Sequence, residues 1–198
     1  MMCEGEERNI LARKLDQILV VDIEATCWPG PTPEGQQSEI IEIGVCPLDV
    51  VTGDLLEKRS ILVRPERSKV SEFCTELTGL TQKQVMNKGL PFNKACALLE
   101  REYGSKKRMW ASYGDYDRNQ FKRQCEARGV SYPFSSSHMN VKSLVGVIYA
   151  LPYEVGMLRA LEIMGIEMEG TLHRGSDDAW NVARILARLL QRQPEHSS

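Results

Sequence analysis

The first sustained pattern along the chain is Ile18-Leu19-Val20-Val21-Asp22-Ile23-Glu24, apolar and β-branched until two acids intrude. Such a run predicts a central β-strand. Next comes Trp28-Pro29-Gly30-Pro31-Thr32-Pro33-Glu34-Gly35, and so many backbone breakers in a row predict a loop. Two more strands are expected over Glu39–Leu48 and Leu55–Val63, joined as an antiparallel hairpin by the turn residues Thr52-Gly53-Asp54. Helical spacing then takes over. A short helical segment holds Phe73, Leu77 and Leu80, and a longer helix starts after Pro91 with Phe92, Ala95, Cys96, Leu98 and Leu99 on its apolar side. Arg108–Ser112 reads as a fourth strand. Helices follow over Asp117–Arg128, closed by Gly129, and over Val155–Met164, closed by Gly165. The last helix carries Ala179, Val182, Ala183, Leu186, Leu189 and Leu190 as a stripe at three- and four-residue steps. This order predicts an α/β domain, a mixed central sheet flanked by helices in three layers.

Composition narrows the picture without naming a function. The 198 residues suffice for one sizeable domain, expected over 1–198 with its core at about 16–192 and short polar tails. Hydrophobic residues at 42% exclude a disordered or collagen-like chain. A formal net charge of −2 excludes a broadly basic, histone-type surface. It counts only weakly against a nucleic-acid partner, because divalent cations held by carboxylates would reverse the sign locally. The cysteines at 3, 27, 46, 74, 96 and 125 have neither Cys-x-x-Cys nor zinc-finger spacing. They predict free, mostly buried thiols in a reducing compartment. No apolar run approaches the roughly 20 residues of a membrane span, and the N-terminus carries no signal region. The expectation is a cytoplasmic protein with no membrane partner, nuclear or organellar residence being the alternatives.

Three places break the pattern with chemistry. Asp22 and Glu24 sit two apart on a strand, so they share a face about 7 Å apart. Burying both is costly unless cations compensate, and the alternative is a strand that ends near Val21. His173-Arg174-Gly175-Ser176-Asp177-Asp178 leads into the last helix, with Ser176 or Asp177 as N-cap. Five helical residues turn by about 500°, so His173 must sit in the preceding loop to converge with Asp178, and Gly175 would ease that bend. Tyr113-Gly114-Asp115-Tyr116-Asp117-Arg118-Asn119-Gln120-Phe121 follows the fourth strand. Here Asp115 and Asp117 compete, a plain helix N-cap explains either, and Phe121 would pin the helix to the sheet. Taken together, hard oxygen ligands suit magnesium or manganese, two such ions stabilise both oxygens of a phosphoryl transfer, and an imidazole can take a proton from water.

These segments resemble the DEDDh exonuclease family, whose fold is ribonuclease-H-like. The resemblance rests on Val21-Asp22-Ile23-Glu24-Ala25-Thr26, Tyr116-Asp117-Arg118-Asn119-Gln120-Phe121 and His173-Arg174-Gly175-Ser176-Asp177-Asp178-Ala179. Flanking segments resemble the branch of the 3′ histone-mRNA and enhanced-RNAi exonucleases: Glu24-Ala25-Thr26-Cys27, Glu39-Ile40-Ile41-Glu42, Val63-Arg64-Pro65-Glu66, Phe73-Cys74-Thr75-Glu76-Leu77-Thr78-Gly79-Leu80 and Asp177-Asp178-Ala179-Trp180-Asn181. It covers about Ile18 to Leu190.

The resemblance implies that Asp22, Glu24, Asp117 and Asp178 ligand two Mg2+ ions, with Mn2+ able to substitute, and that His173 is the general base. It favours Asp117 over Asp115 and Asp178 over Asp177 by family spacing. It implies that Ala25 and Thr26 contact the terminal nucleotide and that Phe73, Leu77 and Tyr116 form an apolar base pocket; core packing is the other reading of those three. The implied activity is 3′-to-5′ exoribonuclease action on single-stranded RNA 3′ ends, releasing nucleoside 5′-monophosphates. A DNA-directed trimming exonuclease and a catalytically idle nucleic-acid-binding protein are the rivals. Two departures stand out. The stretch before Ile18 is too short for the binding module that precedes the catalytic domain in some relatives, and Tyr116 stands where relatives can carry tryptophan. Trp28 has two readings, stacking on substrate or capping the core. Lys106-Lys107-Arg108 and Lys122-Arg123 either steer phosphate or form solvated faces.

Overall fold

The computed structural model describes residues 14–191. Cys3 and most of the expected polar tails lie outside the described residues. Strand β1 spans Lys14–Ala25, β2 Ile40–Asp49 and β3 Arg59–Leu62. Helices α1 (Glu72–Thr78), α2 (Gln82–Lys88) and α3 (Phe92–Tyr103) follow, then β4 (Arg108–Ser112) and α4 (Tyr116–Arg128). The chain continues through β5 (His138–Asn140), α5 (Val141–Ile148), α6 (Met157–Met164) and α7 (Gly175–Leu190).

The sheet runs β3-β2-β1-β4-β5. β1 pairs antiparallel with β2 and parallel with β4, so the sheet is mixed as expected. Its pleat sorts the core into two layers. Ile18, Val20, Cys46 and Leu48 face α5, α6 and α7. Leu19, Val21, Ile23, Ile43 and Val45 face α3 and α4, where Phe121 is fully buried and pins α4 to the sheet. The three-layer α/β expectation holds.

Three local differences have physical reasons. The third strand shrinks to Arg59–Leu62, because Leu55 makes only an isolated bridge to Leu48. Helix α2, short and polar, is set by a Thr81/Gln84 capping box rather than by a long apolar stripe. Strand β5 is three residues long, below what alternation can reveal, and Asn140 at its end caps α5. All five described cysteines are free, and Cys46, Cys74, Cys96 and Cys125 are buried. Among the described residues no helix is long and apolar enough to cross a membrane.

Candidate active site

Strand β1 does not end at Val21. It continues to Ala25, which pleats Asp22 and Glu24 onto the face covered by α7. β4 matches β1 only as far as Val20 opposite Ala111, leaving the far end of that edge of β1 without a strand partner. Asp117, in the first turn of α4, fills the gap: its Oδ1 accepts the Ile23 N–H at 3.0 Å. A side chain from the opposite layer is thereby brought round the sheet edge to the two β1 acids.

The last segment arrives by a tight turn. His173 lies in the loop before α7, with φ of 61°. That left-handed conformation is uncommon for a residue other than glycine. Its N–H donates to Asp178 Oδ2 at 2.9 Å, which ties the loop to the helix. The expected N-cap is corrected here. Helix α7 begins at Gly175, before Ser176 and Asp177, and the Asp177 carboxylate instead accepts the Thr171 N–H and pairs with Lys58 at 2.5 Å. Gly175 also has a different task from the one expected, since the positive φ belongs to His173. A Cβ on Gly175 would lie 3.1 Å from the Gly44 nitrogen, and one on Gly44 only 1.8 Å from the Gly175 carbonyl oxygen. Two glycines let helix and strand backbones touch.

Asp22, Glu24, Asp117, His173 and Asp178 line one cavity of about 470 Å³. Donor atoms of Glu24, His173 and Asp178 lie within 4.8 Å of one another. Burial, reinforced by the neighbouring acids Asp117, Asp178, Glu24 and Glu42, holds the Asp22 carboxyl well above its usual range. Burial, then Asp178 and Glu42, pushes Glu24 up to about 8. The same desolvation raises Asp117 to about 7 and Asp178 to about 6, in each case against an accepted backbone N–H. Asp178 Oδ1 is buried and has no hydrogen-bond partner. An orphaned carboxylate oxygen within a self-repelling acid cluster could hold a cation, and its oxygen-rich donor set fits a hard divalent metal.

Asp115 stays outside this group, half-exposed and paired with Arg118 at 3.0 Å. Tyr116 forms part of the cavity wall with a 56% exposed side chain. Phe73 and Leu77 are not part of that lining; both are exposed on α1 rather than packed in the core. Ala25 and Thr26 are buried and are not part of that lining. The Thr26 hydroxyl accepts from the Glu39 N–H and donates to the Gln37 carbonyl, and the Ala25 carbonyl accepts from Cys74 Sγ. Trp28 is half-buried. Lys106 and Arg108 pair with Glu100 and Asp16, while Lys122 and Arg123 are exposed on α4.

Sequence reasoning did not single out Tyr113, Met157, Leu158 and Leu172, which complete the wall. The Tyr113 hydroxyl donates to the Val155 carbonyl at 2.9 Å and so holds the approach to α6 against the site. Met157 and Leu158 open α6, and the 47% exposure that sets Leu158 apart from core is visible only in the structure.

Comparison with known proteins agrees with this geometry. A family model described as an exonuclease, RNase_T, matches residues 19–186. The 3′-5′ exoribonuclease 1 of Homo sapiens is 34% identical over 200 aligned positions, covering 94% of this chain and 56% of the relative. The chain thus spans little more than half the length of that relative. The 3′-5′ exonuclease Snipper of Drosophila melanogaster is 25% identical, covering 94% of this chain and 73% of its own. Among solved structures, the nuclease domain of 3′hExo, a DEDDh family member bound to rAMP, superposes with a TM-score of 0.79 at 33% identity, covering 91% of this chain and 94% of that one. A 3′-exonuclease in a structure of 3′-end-specific recognition of a histone mRNA stem-loop gives a TM-score of 0.78 at 32% identity, covering 89% and 82%. With its acids and histidine gathered on a ribonuclease-H-like sheet, this chain belongs to the RNase_T exonuclease family.

Proposed function

We propose that this chain is a divalent-metal-dependent 3′-to-5′ exoribonuclease that releases nucleoside 5′-monophosphates from single-stranded RNA ends. The observation that carries the reading is the buried Asp178 Oδ1, unpartnered among acids whose pKa values mutual repulsion and burial have raised. A nucleic-acid-binding module gains nothing from such a cluster. Asp22, Glu24, Asp117 and Asp178 would hold two Mg2+ ions, replaceable by Mn2+. When bound, the ions supply positive charge to the attacking and leaving oxygens of the phosphodiester. His173, held at the cavity rim by its N–H bond to Asp178, takes the proton of the attacking water. Tyr116 offers a ring face to the terminal base, an arrangement that tolerates any sequence. RNA as substrate rests on the relatives' printed activities and on the bound rAMP and histone mRNA of the two solved structures.

The test uses a 5′-labelled RNA and the matching DNA, each with Mg2+ or with chelator, beside an Asp22→Ala sample. A ladder on RNA that vanishes with chelator and in the variant is expected. A ladder on DNA alone replaces the substrate assignment, and no ladder on either removes the activity.

A further inference from the structure

Glu42 belongs to none of the roles above, yet it is fully buried and lies in register directly opposite Glu24 across the β1–β2 pair. Two like charges placed so are destabilising unless one of them is answered. Glu42 is answered completely. Its Oε1 accepts the Ser60 hydroxyl at 2.5 Å, and its Oε2 accepts the Gly175 N–H at 3.0 Å. The Arg174 guanidinium reaches both oxygens, at 3.3 Å from Nε and 3.4 Å from Nη2.

The Gly175 N–H is one of the groups a helix start leaves unsatisfied, and Arg174 at the N-cap position provides no side-chain cap. Glu42 therefore caps α7 from a neighbouring strand, with its charge at the positive end of the helix dipole. It grips Arg174 and Gly175, the two residues that follow His173. Asp178 grips His173 itself from the other side. Resting on the exonuclease reading of the site, we propose that Glu42 is a positioning residue: it clamps the His173-Arg174-Gly175 turn onto β2 and thereby aims the imidazole and the Asp178 carboxylate into the cavity.

The Gly175 N–H and the Arg174 guanidinium can only donate, whereas the Ser60 hydroxyl can also accept, so an amide at 42 could keep its oxygen on Gly175 and only removal of the side chain opens the clamp. The same occupancy leaves Glu42 with little capacity for a metal, although it is a fifth acid at the cluster's edge.

The experiment compares wild-type protein with Glu42→Ala by three measurements: amide hydrogen exchange at Gly175 in metal-free protein, Mn2+ stoichiometry, and steady-state RNA hydrolysis. The clamp predicts loss of Gly175 protection, an unchanged number of bound Mn2+ ions, and a kcat lower by about 10- to 100-fold with KM within about twofold. Retained protection at Gly175, or a kcat within threefold of wild type, overturns it. Loss of a bound ion also overturns it, because Glu42 would then be a ligand. Should Glu42→Ala fail to fold, Arg174→Ala removes the partly exposed arm of the clamp. It should lower kcat by about three- to fivefold and raise Gly175 exchange, and wild-type values for both reject the proposal. A wild-type protein inactive on RNA would remove the proposed function while leaving the exchange measurement to decide the clamp.

Discussion

Two sets of buried carboxylates sit within a few residues of each other, and the fold treats them in opposite ways. On β2 and the segment leading into it, Glu42 and Glu39 are matched donor for oxygen. Glu39 accepts from the Glu66 and Arg67 amides and pairs with Arg128, whose other arm holds Glu66 at 2.6 Å. On the cavity side, Asp22, Glu24, Asp117 and Asp178 face one another, and one oxygen has no partner at all. Glu39 and Glu42 are ion-paired, whereas among the described residues none of these four acids has an ion pair, as the proposed divalent-cation site requires.

The sharpest way to break this comparison is to remove an acid from the unanswered set. Asp22→Asn or Asp178→Asn should forfeit several kcal/mol of transition-state stabilisation, on the order of 10³-fold in kcat/KM. The same variants should melt a few degrees higher than wild type in chelator, because they relieve repulsion. Thermal melts with and without chelator, run beside the activity assay, check both halves.

Removing a partner from the answered set should do the reverse. Arg128→Ala strands Glu39 in the protein interior and should cost about 3–5 kcal/mol of stability by urea unfolding. Its kcat, measured where the variant is folded, should stay near wild type. If it loses activity without losing stability, the distinction between the two sets fails.

Metal is the third lever. At Mn2+ near 100 times its dissociation constant, wild type should gain about 2.7 kcal/mol per independent site. Asp178→Asn should gain less, and calorimetric unfolding against metal concentration reads the difference.

The smallest effect is that of pH. Folded carboxyl pKa values of about 6, 7 and 8 for Asp178, Asp117 and Glu24 lie above the unfolded range near 4. The stability that their protonation contributes is fully present below about pH 4 and is lost as pH rises through 6 to 8. Chelated protein should therefore melt lower at pH 8 than at pH 5.5, by a few degrees. Mn2+ should flatten or invert that slope, since binding displaces the protons. A chelated melting temperature that climbs between those two pH values would contradict the raised pKa values.

Much of this was legible in the sequence because periodicity and burial agree there. β1, the Phe121 anchor and the apolar stripe of α7 follow directly from spacing, and the acids of β1 stand out because apolar neighbours surround them. Asp117 could not be separated from Asp115 by residue type alone, since both sit where a helix N-cap would. What separates them is the strand edge that β4 leaves uncovered, a tertiary fact. The wall formed by Met157 and Leu158 was hidden for a similar reason: apolar residues opening a helix read as core until the cavity beside them is seen. The tasks of Gly175 and Glu42 stayed invisible because each is defined by a partner more than 130 residues away.

That separation in sequence has a consequence for how the protein is made. Synthesis delivers β1 well before α7. A nascent chain on the ribosome already holds Asp22, Glu24 and Asp117 before the helix bearing Asp178, and the histidine just ahead of it, have been translated. The proposed site is assembled only when α7 settles backbone-to-backbone on Gly44, so the proposed cleavage would wait until α7 has been translated and has docked.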